Sequence, residues 1–173
     1  SLVSLVRRTA TAMGYKGPHE LLALLADAGK VQANVNTLGP GPILELLAAL
    51  LRQTPERLLG LTVHRFASAL MLDHNDASRT TLCDSKTALK YFARGTFPIC
   101  PECLRQDATT YERLSWSLYA LPVCIEHRCW LVHRCPSCNW ALRSERPALS
   151  VCRCDKSLAN VKPVSLTDAA IEP

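Results

Sequence analysis

The segment from Val123 to Cys138, VCIEHRCWLVHRCPSC, carries four cysteines and two histidines. Thiolate sulfur and imidazole nitrogen are the donors a tetrahedral zinc ion takes, and one ion takes four of them. CPEC at Cys100–Cys103 precedes this segment, and CRC at Cys152–Cys154 follows it. In a C-x-x-C pair two intervening residues let the chain turn until both sulfurs face one ion, and proline after the first cysteine stiffens that turn. The simplest assignment is sequential. Cys100, Cys103, Cys124 and His127 form one set, and Cys135, Cys138, Cys152 and Cys154 form the other, so two structural zinc ions are expected.

Cys129, His133 and Cys83 are then surplus. Cys129 reads as a buried thiol, His133 as a packed or surface side chain, and Cys83 as a bland free cysteine. His19, His64 and His74 stand apart from any other donor. The C-x-C of the last pair is tighter than a knuckle and is expected not to make the same turn, which leaves Asp155 as a substitute for one of its sulfurs. A cross-brace of the RING kind would pair CPEC with CPSC. It is disfavoured because seven residues separate His127 from Cys135, where a RING has two or three.

Four protein ligands per ion leave no position for a reacting water, so both sites read as structural. No H-x-E pattern precedes a P-C-x-x-C, and no H-E-x-x-H, phosphate-binding glycine loop or nucleophile elbow occurs. The chain is expected not to be an enzyme.

These donors need a scaffold, and the rest of the 173 residues supplies it. At 48% hydrophobic content the chain can bury a core. Eight of the nine cysteines and eight of the ten aromatic residues lie from Tyr91 onward, while the first half is rich in Leu and Ala. That shift predicts a helical domain over 1–78, a connector over 79–95, a metal module over 96–158 and a flexible tail over 159–173. No stretch approaches the roughly twenty apolar residues of a membrane span. SLVSLV precedes Arg7 and Arg8, the reverse of the charge order in a signal peptide. Paired cysteines without an export signal point to reduced thiols in the cytoplasm. Ser1 in place of methionine fits a processed chain or a piece of a longer one. The formal charge of +5 falls to about +2 once seven thiolates meet two dications, so a broad nucleic-acid footprint is not expected. Arg105, Arg113, Arg128 and Arg134 are candidates for a local basic face.

Within the first half, Leu2, Leu5, Val6, Ala10 and Met13 recur at helical spacing up to Gly14. Pro18 opens a second helix that Gly29 should stop. Pro42 opens a third, carrying Ile43, Leu46, Leu47, Leu50 and Leu51. Thr54 caps a fourth with Pro55 at its first position, and Thr62 caps a fifth bearing Phe66, Leu70 and Leu72. Five short helices make a compact bundle. The long connection from Gly29 to Gly41 favours a protein-docking bundle over a DNA-reading helix-turn-helix. In RLSWSL the alternation of Leu114, Trp116 and Leu118 predicts a half-buried strand. Tyr111, Trp116 and Trp130 are expected mainly as core, with base stacking as the alternative.

The order of these features resembles the TniQ family and the N-terminal part of TnsD. The similarity runs from SLVSLVRRTA through TPERLLGLTVHRF to FPICPECLRQDATTYERLSWSLYALPVCIEHRCWLVHRCPSC. The pattern comprises Cys100, Pro101, Cys103, Leu104, Tyr111, Trp116, Cys124, His127, Cys135, Pro136 and Cys138. The final C-x-C departs from it, since the family usually has C-x-x-C there. The resemblance implies an α+β protein in two parts, a helix-turn-helix-like helical bundle followed by tandem zinc ribbons with short β-hairpins. It also implies a bacterial transposition adaptor without enzyme activity. Its partners would be a TnsC-like AAA+ transposition regulator and a CRISPR effector or other target-selection protein. DNA, and a guide RNA, would be touched indirectly or weakly. The competing expectation is a free-standing, zinc-stabilised DNA-binding regulator.

Overall fold

A computed structural model of the chain describes residues 1–25, 34–66, 92–143, 146 and 148–166. Its two parts are helical and metal-module in character. Helix α1 (Leu2–Ala12) ends where Gly14 takes φ +83°, with the Tyr15 amide donating to the Ala10 carbonyl and the Gly14 amide to that of Thr11. This is a left-handed stop, and glycine suits it because it has no Cβ to clash. Helix α2 (Pro18–Ala23) packs on α1. Helix α3 (Pro42–Leu50) packs on α4 (Pro55–Leu59), whose N-cap Thr54 hydroxyl accepts from the Arg57 amide. Leu2, Val6, Leu21, Leu47 and Leu58 have no exposed surface. Burial of each such leucine or valine contributes roughly 1.5–3 kcal/mol, which holds helices too short to stand alone.

Several expectations shift. Helix α2 ends at Ala23, short of Gly29. Met13 and Leu46 are about half exposed, because α1 and α3 bury narrower apolar stripes than their leucine content suggests. Helix α1 instead buries a second, polar side, with Ser4 and Arg7 both inside. Past Thr62 the chain makes a 3-10 turn, Val63–Phe66. The rest of the expected fifth helix, with Leu70, Leu72, His74, the run 73–81 and Cys83, lies outside the described residues.

The metal half has little regular structure. Helix α5 (Pro101–Gln106) follows Cys100, and β1 (Val123–Cys124) pairs antiparallel with β2 (Cys129–Trp130) in the register Val123 to Trp130 and Cys124 to Cys129. Single bridges join Ile99 to Val132 and Arg134 to Ala141. RLSWSL is a 3-10 turn, Leu114–Ser117, rather than a strand. Trp116 is buried there as expected, while Tyr111 and Trp130 are exposed and are not core. Arg113 lies across the Tyr111 and Trp116 rings, 4.7 and 5.3 Å from their centroids, so a turn that brings both rings to one guanidinium replaces the alternating strand. Residues 159–166, expected as the start of a loose tail, are tied down. Trp130 donates to the Val164 carbonyl, and Leu166 donates to that of Arg128. These two bonds set a third extended segment beside β2.

The two halves meet through buried polar groups. Arg146 donates to Glu112 Oε1 at 2.5 Å and to the Phe97 carbonyl at 2.9 Å, and Arg7 of α1 donates to the Arg146 carbonyl at 3.0 Å. The Glu112 amide donates to the Ser4 hydroxyl. Asn36, fully buried, accepts from the Val3 amide and donates to the Ser117 hydroxyl. Phe97 packs into the helical core, and Val63 packs with Ala93 and Leu118. Burial draws the Arg146 pKa down to about 10, with Glu112 acting against it. Removing one partner of such a pair strands a buried charge. Glu112→Gln should therefore lower unfolding stability by about 3 kcal/mol, and Arg146→Met combined with Glu112→Leu should cost less than the single-site losses together, as denaturant unfolding will read.

Candidate metal centres

The first cluster gathers donors from three local structures. Cys100 is the N-cap of α5, and its sulfur accepts from the Cys103 amide at 3.5 Å. Proline at the first helical position costs nothing there, because that amide has no intrahelical partner. Cys124 lies on β1, and His127 sits in the turn to β2. His127 Nδ1 lies 3.6, 3.2 and 3.6 Å from the sulfurs of Cys100, Cys103 and Cys124. Its Nε2 is 3.0 Å from Gln106 Oε1. With the ring proton at Nε2, toward that oxygen, Nδ1 would be the donor for an ion. Cys103 and Cys124 sulfurs are 3.6 Å apart. Tetrahedral zinc–sulfur bonds of about 2.3 Å set sulfur–sulfur edges of roughly 3.8 Å, so the cage matches such an ion.

The second cluster is built from Cys135, Cys138, Cys152 and Cys154, all within 4.8 Å of one another. Cys135 and Cys154 sulfurs lie 3.8 Å apart, and those of Cys138 and Cys152 lie 3.7 Å apart. Cys138 is exposed and Cys154 half-buried, whereas the three cysteines of the first cluster are buried. Asp155 stands outside the cluster.

Three of the four donor pairs turn by one backbone device, while Cys100 and Cys103 turn at the start of α5. Arg128, Asn139 and Asp155 follow the second donor of their pairs directly, and take φ of +46°, +56° and +60°. The left-handed step closes the chain beneath the donors. The Asn139 amide reaches the Cys135 carbonyl at 2.8 Å, and the Asp155 amide that of Cys152 at 3.0 Å. C-x-C thus does turn as a knuckle would, with Asp155 supplying the left-handed residue. This was the one use of Asp155 that donor chemistry alone did not suggest. The signal was present: Asn and Asp tolerate this region better than other residues with a Cβ.

Burial dominates the thiols. It raises the pKa of Cys103 and of Cys124, and it pushes Cys129 and Cys152 up to about 12, with neighbouring sulfurs adding to the effect in Cys129. At Cys135 burial also acts upward, but hydrogen bonds from the Cys138 and Ser137 amides and from nearby thiols outweigh it and bring the value to about 7. Such crowded sulfurs ionise together only against a cation, and a soft dication suits this donor set.

A clamp braces the first cluster. Arg113 donates to both oxygens of Asp107, at 2.9 and 3.1 Å, and to both of Glu126, at 2.7 and 3.1 Å. It joins the end of α5 to the β1–β2 turn, and its hydrogen bonds hold the Glu126 carboxyl below the usual range. Sequence reasoning offered Arg113 and Arg105 as basic-face candidates, but Arg113 is spent on this clamp. Arg105 pairs with Glu102 and with the Ala159 carbonyl. Arg128 and Arg134 are exposed. Of the surplus donors, Cys129 is buried 3.5 Å from the Cys100 sulfur. His133 is half-buried, with its pKa lowered by burial and by Arg94. His19 is exposed beside Glu20.

If Asp155 serves the backbone, Asp155→Gly should leave the second cluster's metal content and stability unchanged. Asp155→Val, which cannot take a positive φ without strain, should destabilise it by about 1–2 kcal/mol. Metal content and thermal unfolding check both variants, and equal metal loss in the two would make Asp155 a ligand.

Among functionally characterised proteins none matches the chain. The TniQ family model matches residues 1–131, which takes in the helical part and the whole first cluster and stops before Cys135. The family is a non-catalytic adaptor family, and the match supports a transposition-associated role in target selection. Among the described residues no helix is long and apolar enough to cross a membrane. With a match over well more than half of its length, the chain belongs to the TniQ family.

Proposed function

We propose that the chain is a transposition target-selection adaptor stabilised by two structural zinc ions. It links a TnsC-like AAA+ ATPase regulator, assembled on DNA, to a targeting complex. The family match over the helical part and the first donor cluster carries this reading. Cys100, Cys103, Cys124 and His127 hold one ion, and Cys135, Cys138, Cys152 and Cys154 hold the other. Each set is complete with four protein donors, so the ions brace the module and offer no position to a substrate. The chain is accordingly no enzyme, and it works beside DNA in the bacterial cytoplasm. We keep the division into a helical domain to residue 78, a connector to 95 and a metal module from 96.

The docking surface for the ATPase belongs to the helical domain, where Met13, Leu24 and Leu46 each expose about half of their surface. The targeting complex is a CRISPR effector or a DNA-binding selector. Contact with DNA or guide RNA is weak, because seven thiolates and two zinc ions leave a formal charge of about +2. The runner-up, a free-standing DNA-binding regulator, needs clustered cations on a reading helix, and α3 carries none.

Purified, reduced chain should contain two zinc ions, and mild chelation should empty the second site first, because Cys138 and Cys154 are open to solvent while Cys100, Cys103 and Cys124 are not. Metal analysis of chelated samples checks this, and one ion or none in fresh protein contradicts it. Gel shifts at near-physiological salt should show weak, sequence-indifferent binding to transposon-end, target-site and random duplexes. Binding should tighten strongly with the ATPase and ATP present. Nanomolar, selective binding by the chain alone would favour the regulator.

A further inference from the structure

Among the described residues, Cys129 is a donor-type side chain at the first cluster that the tetrad does not use. It is 1% exposed and sits on β2 directly opposite Cys124, so both side chains leave the hairpin on the same face. Its sulfur lies 3.5 Å from that of Cys100, close to the edge of a tetrahedral thiolate site. Two further donors thus adjoin the Cys100 sulfur, at 3.6 and 3.5 Å. One is the imidazole of His127, half-buried and tethered through Nε2 to the Gln106 side chain. The other is the buried Cys129 thiol. A small hydrophobe would fill the space at residue 129 equally well, but it would offer nothing at bonding distance to a ligand sulfur.

We propose that Cys129 is a fifth donor of the first centre, taking the place of His127 when that imidazole leaves. In the exchange the metal–Nδ1 bond breaks, a metal–sulfur bond to Cys129 forms, and the thiol proton ends on the freed imidazole. The three sulfurs of Cys100, Cys103 and Cys124 keep their places in the exchange. The first centre thus exists in a three-sulfur, one-nitrogen form and a four-sulfur form. The exposed His127 turn can then move, for instance against a partner, without loss of the ion that holds α5 to the hairpin.

This rests on the metal reading of the first cluster, and the full chain loaded with cobalt(II) as probe tests both. His127→Ala should keep two metal ions per chain, with a stronger thiolate-to-cobalt charge-transfer band than wild type. His127→Ala combined with Cys129→Ser should keep one. Cys129→Ser alone should keep two but pass the first ion to a chelator several-fold faster than wild type, a readout taken on an intact tetrad. Loss of one ion in His127→Ala, an unchanged charge-transfer band, or wild-type release from Cys129→Ser would each overturn the fifth-donor proposal while leaving the metal centre standing. A wild-type chain that binds no cobalt would overturn the metal reading itself, and the proposal with it.

Discussion

Glu112 and Arg113 are neighbours that face opposite ways, and the architecture hangs on that pair. The Glu112 carboxylate takes the buried Arg146 guanidinium inside the metal module, while its amide reaches across to the Ser4 hydroxyl of α1. Arg113 turns toward the first metal cluster, where it ties Asp107 at the end of α5 to Glu126 beside His127. A displacement of this two-residue hinge moves the seat of α1 and the brace of the donor cage together. The two halves are therefore mechanically coupled, although each has its own apolar core.

The two ionic groups differ in what they contribute. Arg146 and Glu112 are almost wholly out of water, and the cost of desolvating two charges roughly cancels their attraction. Their value lies in orientation. The guanidinium holds Glu112 against the Phe97 carbonyl within the metal module, and so places the Glu112 amide that donates to Ser4 and the Arg146 carbonyl that accepts from Arg7 of α1. The Arg113 clamp is less deeply buried and pairs with two carboxylates in forked geometry, so its balance is more favourable. Specific docking and local stiffness thus come from different residues one peptide apart.

What the sequence showed plainly was local. Donor types in close pairs, three with two-residue gaps and Cys152–Cys154 with one, identify the same two groups of four that the fold brings together, because such a pair is made by near neighbours in sequence. Helix starts were equally legible, since Pro18, Pro42 and Pro55 each sit at a first turn. The long-range contacts were not. Nothing in the spacing of α1 sets Ser4 and Arg7 apart as buried, because their partners, Glu112 and Arg146, lie more than a hundred residues away. The alternation in RLSWSL was misleading for a related reason. Its burial pattern is imposed by Arg113 stacking on Trp116 and by the packing of Leu118 with Val63, and a 3-10 turn presents those side chains as well as a strand would.

The left-handed residues explain how so little regular structure can hold two cages. Outside α5, where a helix start brings Cys100 and Cys103 together, a donor pair needs its chain reversed within a few residues, and a left-handed step after the second donor does that. Glycine would adopt it without strain, yet Arg128, Asn139 and Asp155 occupy the three positions. Arg128 carries a modest steric cost there, of order 1–2 kcal/mol, while Asn139 and Asp155 accept the region at little cost. A bound ion contributes on the order of 10 kcal/mol to a small metal module, which is ample to hold all three turns. The β1–β2 hairpin, with two residues per strand, adds few hydrogen bonds of its own, so an ion in each cage would be the larger restraint on these turns.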